Sequence, residues 1–407
     1  MELTLEQAEI LLLVAAIVAM LVQRLHIPYS VGLVLAGVGL ALLQVIPSIR
    51  LTRELIFGIF LPPLVFEAAL DIRWRELRRD SPVILTLATL GVLLSAGITA
   101  VGMRLFAQWE WVSAILFGAL IAATDPVAVI AALKETNIHG RLRLLLEAES
   151  LFNDGTAAVA FTVALTLATG SAITAFGIAQ ALVVTVLGGI LCGGIVSGGV
   201  LLLAGQTEDH LVEMTFTTVA AYGSFLLAEY LHVSGILAAL TAGLVVGNMG
   251  PLGSITDKGR DAVESFWEYV AFVVNSLIFI LIGIYGTRQE FASALVAAVI
   301  AIFLVVLGRA MAVYPCCALF ARSALRIEPR HQHILFWGGL RGALALALAL
   351  GLPTTVPRYE EIITITFAVV AFSIIVQGVT MIPLLNWMGV VPKKQDQDYG
   401  TSASQPR

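Results

Sequence analysis

The sequence predicts an all-α polytopic membrane protein of about 13 transmembrane helices, built as inverted-topology repeats with crossed discontinuous helices. Three observations carry that expectation. Of 407 residues, 59% are hydrophobic and only 13% charged, where a soluble domain has about 25% charged. The apolar residues gather in runs close to the roughly 20 residues with which a helix rising 1.5 Å per residue crosses a core of about 30 Å. Two of those runs are interrupted at mid-depth by proline or glycine beside an ionisable residue.

In order, the runs cover 8–25, 31–45, 55–70, 82–105, 112–133, 144–167 and 173–204. The second half gives 212–230, 233–247, 267–284, 291–320, 334–351 and 362–388. They are too long and continuous for outer-membrane strands, which alternate over about 10 residues. Their glycine, alanine and serine content suits close helix packing, and pairs such as Gly193-Gly194 and Gly198-Gly199 are expected to pack helices, not to cradle a nucleotide. Cys192, Cys316 and Cys317 are read as packing residues. His331 and His333 are not expected to bind metal.

Orientation follows from lysine and arginine. With the amino terminus outside, sixteen of them fall in cytoplasmic segments, among them Arg73, Arg75, Arg78, Arg79, Lys134, Arg141, Arg143, Lys393, Lys394 and Arg407. Five fall outside: Arg50, Arg53, Arg104, Arg288 and Arg358. The bias places the carboxyl terminus in the cytoplasm. No basic segment precedes the first run, so no cleaved secretory signal is expected. Residues 1–392 form the transmembrane domain, and 393–407 a short polar, disordered cytoplasmic tail. The lipid bilayer is the expected surrounding. Neither nucleic acid nor a soluble partner domain is expected, and nothing points to an enzyme.

The run 112–133 is broken by Thr124-Asp125-Pro126, since proline removes an amide donor and favours the first position of a new helix. Seven spans later, Gly338-Gly339-Leu340-Arg341-Gly342 marks a second break. An odd offset reverses direction across the membrane. The same offset relates the segment around His26 and Pro28 to Leu231-His232-Val233-Ser234. Both features point to an inverted repeat with a site where broken helices cross.

From the rise per residue, Asp125, Asp154, Arg309 and Arg341 lie about 10–16 Å from the cytoplasmic ends of their spans. Glu67 lies somewhat nearer the cytoplasm. Ionisable groups at such depth are expensive and mark ion or proton paths. Ser150 and Asp154, four apart, share a helix face with Asn153 beside it, and the three are assigned to one cavity. Glu149 points elsewhere. It is expected to pair with a buried arginine, Arg309 first and Arg341 second. Hard alkali cations want several oxygens, which carboxylate, hydroxyl, amide and freed backbone carbonyls supply. Desolvation favours the protonated form of a carboxylate, so Asp154 can hold a proton or a cation in turn. Asp125 also suits the positive start of the half-helix it caps.

At these residues the chain resembles the monovalent cation/proton antiporters, specifically the sodium/proton NhaP/NHE-like branch. The motifs are Phe60-Leu61-Pro62-Pro63-Leu64-Val65-Phe66-Glu67, Thr124-Asp125-Pro126-Val127-Ala128, Glu149-Ser150-Leu151-Phe152-Asn153-Asp154-Gly155, Gly308-Arg309 and Gly339-Leu340-Arg341-Gly342. They are ordered and spaced as in that family over nearly the whole membrane region. The resemblance implies an antiporter fold with crossed broken helices, a homodimer, an elevator-like cycle and a plasma (inner) membrane location. It implies Na+ (or Li+) exchange for H+, serving pH and sodium homeostasis, with no cofactor. Asp154, Asn153, Ser150, Glu67, Thr124 and Asp125 would line the cation site, with Asp154, Ser150, Glu67 and Thr124 touching Na+. Asn-Asp at 153–154 implies electroneutral one-for-one exchange. K+/H+ antiport and sodium-coupled uptake of an organic solute stand as alternatives.

Overall fold

The computed structural model describes residues 5–25, 27–44, 51–136, 138, 140–168, 175–250 and 254–391. The expectations at Arg50, at His26, at the first residues of the 173–204 run and in the 393–407 tail lie outside the described residues. Among the described residues the regular secondary structure is helix, apart from one antiparallel backbone bridge between Asp125 and Leu340.

A helix or a pair of half-helices lies over the described part of each predicted run, and among the described residues seven helices are individually long and apolar enough to cross a bilayer. Among these are Trp74–Phe106, Arg141–Ala168, Asp257–Gly286 and Phe291–Leu319. Their starts are written locally. Ser234 Oγ accepts the Leu237 amide at 3.2 Å, and Thr256 Oγ1 the Gly259 amide at 3.0 Å, each occupying a donor that a helix start leaves unpaired.

The two interruptions fall where the sequence places them. Trp111–Ile121 ends before Thr124 and Val127–Glu135 begins after Pro126; Pro329–Trp337 ends before Gly338 and Ala343–Leu350 begins after Gly342. The two breaks face each other in antiparallel sense, and the Asp125 amide donates to the Leu340 carbonyl at 2.8 Å. That antiparallel meeting is compatible with an inverted repeat offset by seven spans.

Packing partners sort most helices into two groups. In one, Gly243 and Gly247 of Gly235–Met249 lie against the carbonyls of Phe66 and Leu70, so closely that a side-chain carbon would strike backbone. Gly37 and Gly283 make the same kind of approach between Tyr29–Leu42 and Asp257–Gly286. Gly193 meets the Ala238 carbonyl, as expected of a packing glycine, but Gly194, Gly198 and Gly199 face open space. That half of the expectation is corrected: only one edge of Ala175–Ala204 is covered by protein here. In the other group, Trp74–Phe106 packs on Trp111–Ile121 and Phe291–Leu319.

Arg141, at the foot of Arg141–Ala168, ties that second group together. Its Nη2 lies 2.7 Å from Asp80 Oδ1, and its guanidinium also donates to the carbonyls of Leu325 and Arg326. Asp80 is buried on Trp74–Phe106, so one side chain joins three segments.

Candidate functional site

The long helix Arg141–Ala168 runs past the crossing and presents two different stripes. Glu147, Leu151 and Asp154, spaced four and three apart, line a cavity of about 320 Å³, as residues on one helical face must. Glu149, Ser150 and Asn153 turn instead toward the first break and toward Phe291–Leu319.

Thr124, freed from helix geometry at the first break, is the hub between the two stripes. Its hydroxyl lies 3.0 Å from Ser150 Oγ and accepts from Asn153 Nδ2 at 3.1 Å. Its backbone amide faces the Asp154 carboxyl. Asp154 Oδ1 and Asn153 Oδ1 are buried without a hydrogen-bond partner. A buried acceptor left open is costly unless something else fills it.

Asp125 serves both breaks. Its Oδ1 accepts the Val127 amide at 3.0 Å, and its carboxyl also takes the Ala343 amide, so one side chain caps two half-helices. Gly342 is required beside it, because a side-chain carbon there would run into the Asp125 carboxyl.

The cavity is walled by Asp154, Thr124, Asp125 and Glu67 at the level of the crossing and reaches Asp71, Arg143 and Glu147. Those last three also line a second hollow of about 580 Å³ that continues to Arg73, Glu76 and Arg260, on the arginine-rich side. Glu67 therefore faces the same space as Asp154. Ser150 and Asn153 do not: they stand behind Thr124, so the expectation of one cavity for Ser150, Asn153 and Asp154 is corrected. The four-residue spacing put Ser150 near the right face, but Thr124 covers it.

Glu149 meets Arg309. The guanidinium forks both carboxylate oxygens, at 2.7 and 2.9 Å, and donates to the Leu335 carbonyl at 2.8 Å. Both side chains are buried; Asn153 Nδ2 approaches the same carboxylate at 3.3 Å. Arg341 is not in the pair, which corrects its place in the expected set. Its Nη1 donates to the carbonyls of Ala122 and Ala123, at 2.9 and 3.1 Å. The break at Thr124 leaves those carbonyls without helical partners, and a cation suits the negative end of the half-helix. Arg341 Nε and Nη2 have no partner.

The sequence reading missed the rim. Arg143 lies 2.6 Å from Glu147 and 3.4 Å from Asp71, and Glu268 lines the same wall. The signal was available for Glu147, seven residues before Asp154 and so on its face; Asp71 and Glu268 are brought in only by packing.

A sodium/hydrogen exchanger transmembrane family model matches residues 10–387. The chain belongs to that family. It is 38% identical over 370 residues to the Na(+)/H(+) antiporter ApNhaP of Aphanothece halophytica, covering 90% of this chain and 70% of that protein. It is 36% identical over 342 residues to the Na(+)/H(+) antiporter NhaP of Pseudomonas aeruginosa, covering 82% and 80%. Its fold is similar to that of the sodium proton antiporter MjNhaP1 from Methanocaldococcus jannaschii, with a TM-score of 0.74 at 22% identity over 94% of this chain and 98% of that one. This sodium/hydrogen exchanger fold thus includes the crossed pair described above.

Proposed function

We propose that the protein is a secondary antiporter that exchanges Na+ for H+ across the membrane, with Asp154 as the group that carries each in turn. The observation that supports it best is the open oxygen of Asp154 at the deep end of a cavity leading to the arginine-rich surface. A proton or a sodium ion would satisfy that oxygen, and each excludes the other.

Na+ would sit between Asp154 and the oxygens of Thr124, Asp125 and Glu67, with Ser150 and Asn153 fixing the Thr124 hydroxyl from behind. Four carboxyl groups (Glu67, Asp125, Glu149 and Asp154) and two guanidinium groups (Arg309 and Arg341) gather near the crossing, and an unbalanced charge at this depth is expensive. Asn153 beside Asp154 puts one carboxylate where an Asp-Asp pair would put two, so one fewer proton is traded. That favours electroneutral one-for-one exchange. Elevator-like sliding of one helix group past the other would then expose Asp154 to alternate sides.

A homodimer in the plasma (inner) membrane, amino terminus outside and carboxyl terminus cytoplasmic, completes the proposal, with residues 1–392 as the transport domain. A pH-gradient dequenching assay on everted vesicles tests it: added Na+ or Li+ collapses the gradient with no organic solute present. Loss of that response in Asp154→Asn, with protein still inserted, is the expected result. An Asp154→Asn protein that still exchanges at the parent rate sinks the assignment. Collapse by K+ alone redirects the proposal to K+/H+ antiport.

A further inference from the structure

A third hollow, which meets the 580 Å³ one only at Arg73 and Glu76, opens on the arginine-rich side between the two helix groups. It has a volume of about 1130 Å³, and its depth is walled by Phe152, Ile190, Leu237, Leu240 and Leu244. The polar groups among its walls are already occupied. Thr241 Oγ1 donates to the Leu237 carbonyl at 2.7 Å. Asn248 Nδ2 donates to the carbonyls of Ile72 and Leu244, and its Oδ1 accepts the Trp74 amide. Such a wall offers hydrocarbon contact and nothing for water or an ion to bind.

The mouth is the opposite. Arg73, Arg75 and Arg79 stand there with Trp74, which is 55% exposed. Arg75 and Arg79 are four apart and share a helix face. Arg73 lies 3.6 Å from Glu76, which leaves the mouth positive. It also sits at the start of Trp74–Phe106, where the helix dipole is positive. From Met249 at the mouth to Leu237 at the floor is twelve residues of helix, about 18 Å. The hydrocarbon of one leaflet is about 15 Å deep, half of a 30 Å core.

We propose that this cleft binds an anionic phospholipid of the cytoplasmic leaflet, its phosphate on Arg75 and Arg79 and one acyl chain laid between Phe152, Ile190 and Leu240. Arginines near a headgroup supply anion affinity, an interfacial tryptophan marks the headgroup level, and the dry wall takes the chain. The site is independent of the exchange reaction, though Phe152 lies two residues from Asp154 on the same helix.

Delipidated protein in neutral detergent, titrated with phosphatidylglycerol or phosphatidylcholine and read by native mass spectrometry and thermal unfolding, tests this. Phosphatidylglycerol is expected to bind saturably and raise the unfolding temperature more than phosphatidylcholine. Arg75→Gln with Arg79→Gln, both at exposed positions, weakens that binding roughly 25-fold, at about fivefold for each arginine. Ile190→Trp, which fills the cleft, weakens it as well, while Arg78→Gln, outside the cleft, leaves it unchanged. The proposal is overturned by equal binding of phosphatidylcholine, by an unchanged double variant, or by an Arg78→Gln loss as large as the double variant's. Glycerol phosphate matching the lipid's effect also overturns it, leaving a headgroup anion site without a chain.

Discussion

Asp125 and Leu340 are joined by a 2.8 Å backbone hydrogen bond at the point where two broken spans cross. The bond satisfies one amide and one carbonyl that their interrupted helices no longer serve. In hydrocarbon each such group left open costs several kcal/mol, and at the same crossing the Asp125 carboxyl supplies the acceptor for two more amides, those of Val127 and Ala343.

Removing that supply is expected to loosen the crossing before it alters chemistry. Asp125→Ala leaves the Val127 and Ala343 amides uncapped, about 1 kcal/mol each by ordinary capping energies. Gly342→Ala drives a methyl group toward the same carboxyl. Both variants should unfold at lower temperature in detergent and exchange at least about tenfold more slowly. Asp125→Asn, which keeps one acceptor oxygen and so one of the two caps, should lose about half as much stability as Asp125→Ala while losing exchange. An Asp125→Ala protein as stable and active as the parent contradicts this account.

The Glu149–Arg309 pair is buried at both ends, so its members are not separable without penalty. Glu149→Gln or Arg309→Ala is expected to destabilise by about 3–5 kcal/mol, because each strands a charge. Replacing both, Glu149→Leu with Arg309→Met, should recover most of that loss. Thermal unfolding of the three proteins decides it: if the double variant is less stable than either single one, the pair is not the reason.

Thr124 touches Ser150 and Asn153 and also borders the cavity. Thr124→Val keeps the shape and loses the hydroxyl, so the apparent KM for Na+ should rise roughly tenfold, the worth of a hydrogen bond to a charged partner. Ser150→Ala removes only the support behind it and should raise KM about threefold or less. A larger effect from Ser150→Ala than from Thr124→Val would place the ion behind the hub instead of before it.

At the rim, Arg143 is the cation among Asp71, Glu147 and Glu268. Arg143→Gln should leave that rim more negative and raise the local Na+ concentration. The apparent KM is expected to fall about twofold to fivefold at low ionic strength, with the difference vanishing near 0.5 M choline chloride as screening shortens to a few ångströms. A KM that rises in the variant at low salt would show that Arg143 holds the path open instead of guarding it.

Much of this was legible before any coordinates. Thr124-Asp125-Pro126 and the glycines at 338, 339 and 342 announce their breaks through backbone chemistry, and Asp154 announces itself by depth. What spacing could not resolve was lateral. Arg309 and Arg341 have similar estimated depths, and only the fold shows that one reaches Glu149 while the other turns to the carbonyls of Ala122 and Ala123. Ser150 has the right phase to share a face with Asp154, yet a hydroxyl from another span screens it. Phase describes one helix; which neighbour covers a face is a property of the assembly.

Arg141 holds Asp80 and the turn at Leu325 and Arg326 in a single grip. Displacing any one of the three therefore strains or breaks contacts to the other two. The helices that carry Asp154 and Asp80 and the turn that follows the helix of Arg309 are thus tied together at one end, remote from the crossing. Severing that tie removes none of the contacts that hold the ion seat itself.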